Sequence, residues 1–122
     1  MSSHFHAVVW IDHKEARVFH FNADHAEKLT LRAHHASKKP NGHEDEAFLH
    51  EVANALADAG EILVCGPANT KTALVKHIAR HDHHLLSRIA GVESADHPTD
   101  GQIVAHARDY FETVDRKTAQ KV

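Results

Sequence analysis

The stretch from Glu61 to Lys76, EILVCGPANTKTALVK, constrains the fold more than any other. Ile62 to Cys65 is continuously apolar and partly β-branched. That predicts a short strand buried on both faces, as in the parallel part of an α/β sheet. Gly66 and Pro67 break it. Thr70 is the expected cap of a following helix, with Leu74, Val75, Ile78 and Ala79 at helical spacing. A strand, a tight turn and a helix in this order place the helix N-terminus at the carboxyl end of a sheet. Free N–H groups and the helix dipole face outward there, and ligands gather at such places. Lys71 adds a positive charge to this turn.

The segments on either side extend the sheet. Phe5 to Ile11 (FHAVVWI) and Ala16 to Phe21 (ARVFHF) read as strands joined by the polar Asp12–Glu15 connection, which has hairpin length. Lys28 to Arg32 alternates, with Leu29 and Leu31 on one face, as expected for an edge strand with one solvated side. These three form an antiparallel meander. Ala33 to Gly42 (AHHASKKPNG) has no apolar period and reads as an exposed, mobile, basic loop. Glu44 to Ala59 has helical spacing with acids in its first turn, and Gly60 is its expected stop.

The helix after the central strand is expected to end near His81 to His84. Leu85 and Leu86 prolong it or begin a packed connection, and Arg88 to Glu93 is a candidate fifth strand despite Gly91. Thr99 with Gln102 fits a capping box. Ile103, Ala107, Tyr110, Phe111 and Val114 give a last helix its apolar stripe. The expectation is one α/β domain over 1–114 and a polar, fraying tail over 115–122. Its core is a mixed five-stranded sheet, a meander followed by βα units, with helices on its faces. This is a ribonuclease H-like layout.

Length and composition narrow the class. A chain of 122 residues is long enough to bury a real core. Its hydrophobic content of 42% and charged content of 25% suit a soluble globular domain. No apolar run reaches the length of a membrane span, and MSSHFHAVVW has no basic region of the secretory kind. Cys65 is the only cysteine, so no internal disulfide forms, which suits a cytoplasmic protein. The chain has 15 histidines and a formal charge of −3 with histidine neutral. Near pH 6.5 about half of unperturbed histidines are protonated, adding roughly seven positive charges. Attraction to polyanions is then expected to strengthen as pH falls. The plainer reading is that these histidines replace lysine or glutamine on a solvated surface.

Gly66-Pro67-Ala68-Asn69-Thr70-Lys71 resembles the GPGxTK segment in the middle domain of archaeal and eukaryotic peptide-chain release factors and of Pelota. The resemblance extends, as pattern, to a first strand ending in Ile11-Asp12, a second with Ala16 to Phe19, a basic loop, and an acid-led helix with Phe48. It implies a single-domain, bacterial-type relative with a translation role and a ribosome or structured RNA as partner. Release factors hold Gly-Gly-Gln in the loop after the third strand, where it acts on the peptidyl-tRNA ester. Here that loop reads SKKPNGHEDEAF, with Gly42 but neither a second glycine nor the glutamine. Asp100-Gly101-Gln102 is similar in letters only, since Gln102 has a capping role. Peptide release is therefore not expected, and the implied role is non-enzymatic.

The candidate phosphate contacts are Lys38, Lys39 and Lys71, with Asn69 and Thr70 offering hydrogen bonds. His34, His35 and His43 lie on the same loop, and Arg32 and Lys76 are nearby in sequence. The plain alternative is a solvated surface: the loop has no aromatic residue for base stacking, and the overall balance is acidic. The competing class is a histidine-rich metal-binding or pH-responsive protein, with zinc or nickel on His77, His81 and His83. Histidines at a helix C-terminus also suit the dipole, which is the plain account of them. A metal nuclease is a third reading, resting on Asp12, Glu51 and Asp96. Asp12 is equally a turn residue, and nothing in the spacing gathers the three acids. Cys65 is expected to be buried and inert. No other cofactor and no membrane partner is expected. A homodimer through the third-strand edge is left open.

Overall fold

A computed structural model describes residues 5–33 and 45–120, with side chains to Val114. The strands are β1 (His6–Ile11), β2 (Glu15–Phe21), β3 (Ala26–Arg32), β4 (Glu61–Gly66) and β5 (Ile89–Ser94). The helices are α1 (Glu46–Ala55), α2 (Thr70–His81), the short α3 (His83–Leu86) and α4 (Asp100–Gln120). Among the described residues they build one five-stranded sheet in the order β3-β2-β1-β4-β5. β1 to β3 form the expected antiparallel meander. β4 joins β1 and β5 joins β4 in parallel, so the sheet is mixed, as expected.

Strand periodicity divides the core into two layers. Ala7, Val9, Ile11, Val18, Ile62 and Val64 face α1, α2 and Leu85 of α3. Val8, Trp10, Phe19, Phe21, Leu63 and Cys65 face Ile103, Val104, Ala107 and Phe111 of α4. β1 and β4 are buried on both faces because helices cover both. Leu85 and Leu86 form a packed connection: Asp82 separates α3 from α2, and Leu85 is buried.

Several boundaries differ from the sequence expectation. α1 ends at Ala55, short of Gly60. The Leu56 N–H bonds to Val52 and Ala53, and Ala57 and Ala59 close tight turns, which ends the helix while keeping Leu56 and Ala59 buried. β3 is indeed an edge strand, but Leu29 is exposed and only Leu31 packs on the α1-side core. The helical layer stops short of Leu29. The backbone of α4 runs on to Gln120, past the apolar stripe and through most of the expected tail. Residues there such as Arg116, Lys117, Ala119 and Gln120 are good helix formers. Gly91 is accommodated in β5 because Tyr110 lies over it and donates its hydroxyl to the Ala90 carbonyl.

Candidate functional site

The carboxyl ends of β1, β4 and β5 share one edge of the sheet, since these strands are parallel. Gly66 ends β4 against the end of β1. A β-carbon there would stand 2.1 Å from the Ile11 carbonyl oxygen, so only glycine permits the close strand approach that launches the turn. The chain then passes through exposed Ala68 and Asn69 into α2. Asn69, rather than Thr70, occupies the cap position of α2. Its backbone is already helical and its side chain makes no cap hydrogen bond, which leaves the exposed amide facing solvent. Thr70 is the first helical residue and is buried. Lys71 is half-buried and its Nζ donates to the Ala68 carbonyl.

The basic loop leaves from the same edge. The Ala33 N–H donates to the Lys14 carbonyl at 2.9 Å, which ties the end of β3 to the β1–β2 turn. Lys38 and Lys39, with His34, His35 and His43, lie outside the described residues. On the α4 side, a cavity of about 710 Å³ opens between Cys65, Glu93, Pro98 and the first turns of α4. Glu93 pairs with His106 at 2.6 Å on its wall.

Groups with catalytic potential at this edge have structural tasks. Burial, with Glu93 adding to it, pushes the Cys65 thiol up to about 11. Its Sγ donates to the Val9 carbonyl at 3.4 Å. Asp12 Oδ1 accepts from the backbone N–H groups of Lys14 and Glu15, so Asp12 shapes the hairpin turn. Asp96 comes near it through His97, whose ring lies 3.0 Å from Asp96 and 4.0 Å from Asp12. Glu51 is on α1, in the layer across the sheet from α4, so the three acids do not form one site. Gln102 accepts from the Thr99 N–H at 2.8 Å, and Thr99 Oγ1 accepts from the Gln102 N–H at 3.2 Å. That is the capping box.

Trp10 and Arg17 fasten the β5–α4 connection to this edge. Trp10 Nε1 donates to the carbonyls of Ala95 and Asp96, and the Arg17 guanidinium lies 4.5 Å over its ring. Arg17 and Lys28 both bond the Asp100 carboxylate. These hydrogen bonds, Lys28 first and Arg17 second, hold the Asp100 carboxyl below its ordinary value.

The histidines of α2 meet a different set of partners from those expected. His77 is 5% exposed and pairs through Nδ1 with Glu46 of α1 at 3.0 Å. His81 follows on the same face, its ring 4.6 Å from that of His77. His83 lies in α3, outside the ligand groups found around His77. The register breaks at Asp82, where α2 ends, and this turns His83 away from the spacing it would have in one continuous helix. Glu46, His50 and Asp82 take its place around His77. The Glu46-x-x-x-His50 spacing puts both on one face of α1, but nothing in the sequence pairs that face with α2.

No protein-family model and no curated protein matches the sequence. Solved structures do match. Archaeoglobus fulgidus Pelota superposes with a TM-score of 0.64 at 15% identity over 95% of this chain and 32% of that one. Saccharomyces cerevisiae Dom34, described as a translation termination-like factor involved in RNA quality control pathways and interacting with Hbs1, gives 0.60 at 14% identity over 84% and 31%. The archaeal translation termination factor aRF1 gives 0.59 at 14% identity over 95% and 39%. The chain thus spans about a third of the length of these proteins, and at such identities the likeness is one of fold. It carries the mixed α/β fold found within these translation factors.

Proposed function

We propose that this chain acts in translation as a non-enzymatic domain that contacts the ribosome or another structured RNA from the carboxyl edge of its sheet. The observation that carries the reading is the fold likeness to Pelota, over nearly the whole of this chain. The turn that resembles the release-factor segment supports it, because Asn69 and Lys71 follow β4 at the same end of the sheet at which β3 runs into the loop. Lys38, Lys39 and Lys71 neutralise phosphates in this reading, Asn69 donates and accepts hydrogen bonds, and buried Thr70 holds the turn.

The non-enzymatic part rests on the chemistry of the chain. The loop lacks Gly-Gly-Gln, and the glutamine of Asp100-Gly101-Gln102 is engaged in a helix cap. No helix among the described residues is long and apolar enough to cross a membrane. The proposed place of work is the cytoplasm, where ribosomes are. The test combines two readouts on one sample: co-sedimentation of the purified chain with ribosomes, and hydrolysis of a peptidyl-tRNA ester bound there. Binding without hydrolysis is the expected result. Hydrolysis above the ribosome-only rate would overturn the non-enzymatic reading, and absence of binding would overturn the ribosome reading.

A further inference from the structure

A second constellation lies away from the sheet edge, where α1 and α2 pack together. One ligand atom from each of His50, His77 and Asp82 falls within 4.8 Å of the other two. Glu46, His77 and His81 form an overlapping group by the same measure. Proximity alone is common on surfaces, but two further facts point to a ligand. His77 Nε2 and Asp82 Oδ2 are both buried, and neither has a hydrogen-bond partner among the described residues. A bare buried lone pair costs free energy that native proteins rarely leave uncompensated. The other ring nitrogen of His77 is taken by Glu46, so Nε2 is the atom left to bind something. A carboxylate on one histidine nitrogen with a free lone pair on the other is the arrangement that orients metal-bound imidazoles.

We propose that the chain binds a divalent transition-metal ion, with zinc as the best match to its ligand types, through His50, His77 Nε2 and Asp82. Two imidazoles are borderline nitrogen donors and the carboxylate is a hard oxygen donor, a set that suits zinc, whereas calcium and magnesium take oxygen ligands. Zinc bonds of about 2.1 Å set neighbouring ligand atoms roughly 3.4 Å apart. The ligand atoms lie within 4.8 Å of one another, so binding requires them to draw together, and His50 is exposed. Glu46 is a positioning residue: it holds the His77 ring and contacts no metal. Three protein ligands leave a fourth position to solvent. The ion would clamp α1 to α2, so its binding adds to the stability of the fold.

The test is zinc titration of the full chain by calorimetry, with the melting temperature and the visible spectrum of the cobalt-substituted protein as further readouts. A single stoichiometric site, a raised melting temperature and tetrahedral cobalt bands are expected. His50→Ala, at an exposed position, should abolish that site while the fold persists. Glu46→Gln keeps the ligands and should weaken binding by about 10- to 100-fold. His83→Ala/His84→Ala removes neighbouring histidines outside the set and should leave the site intact. Stoichiometric binding that survives His50→Ala, or binding lost with His83 and His84, would overturn the proposal. So would a titration with no defined stoichiometry, the result expected of scattered surface histidines or of a water at His77.

Discussion

Gly66 and Ile11 approach so closely that a methyl group on the Gly66 α-carbon would stand 2.1 Å from the Ile11 carbonyl oxygen. The obstacle is backbone in the middle of the sheet, which cannot swing aside as a side chain would. Gly66→Ala should therefore push β1 and β4 apart at the edge that carries the turn, lowering stability by about 2 to 3 kcal/mol. Chemical denaturation followed at the single tryptophan, buried Trp10, measures this. A loss within about 0.5 kcal/mol, the range of an ordinary surface change, would contradict the close approach.

Thr99 and Gln102 satisfy each other's backbone N–H groups at the start of α4, and that helix supplies Ile103, Val104, Ala107 and Phe111 to the core. Thr99→Ala should lower stability by about 1 kcal/mol. Gln102→Ala should act in the same direction and leave ribosome binding unchanged. A Gln102→Ala chain that kept full stability but lost a ribosome-dependent activity would return this residue to a chemical role.

Asp100 gives the fold an acid-sensitive tie. Its folded-state value is lowered by Lys28 and Arg17, so the carboxylate stabilises the fold fully above the unfolded value of about 3.9. That contribution is lost as pH falls through the lower folded-state value. The pair is largely solvent-exposed, so the effect is modest and screened by salt. Between about pH 6 and about pH 3, Asp100→Asn should be less stable than wild type at the upper end, and the gap should narrow as pH falls. Parallel stability curves across that range would contradict the assignment.

Cys65 should be chemically silent in the folded chain. With its thiol raised to about 11 and its side chain under α4, roughly one molecule in a thousand is thiolate at about pH 8. Alkylation should proceed only as fast as the protein opens, and should accelerate in denaturant. Rapid labelling under native conditions would show that the cavity beside Cys65 reaches the sulfur.

The sheet was legible because its signals are local. The apolar run Ile62 to Cys65, the alternation from Lys28 to Arg32 and the Gly66-Pro67 break each specify one element by periodicity or turn chemistry. The capping box was legible for the same reason. The ends of helices were less so: Leu56 and Ala59 keep helical spacing after α1 has closed into turns, because burial and helicity separate there. The histidine cluster shows the limit most clearly. His77 and His81 were legible as one helix face, but Glu46 and His50 belong to another helix and meet them only through packing. His83 dropped out because a single residue, Asp82, breaks the helix before it.

Co-sedimentation with ribosomes at low and moderate salt, wild type beside Lys38→Ala/Lys39→Ala/Lys71→Ala, tests the proposed phosphate contacts most directly. Phosphate contacts release counterions, so wild-type pelleting should fall as salt rises. The triple variant should pellet less at low salt and respond less steeply to salt. A wild-type chain that stays in the supernatant at low salt, or a triple variant that pellets as well as wild type, would contradict a phosphate-binding edge at the turn and loop.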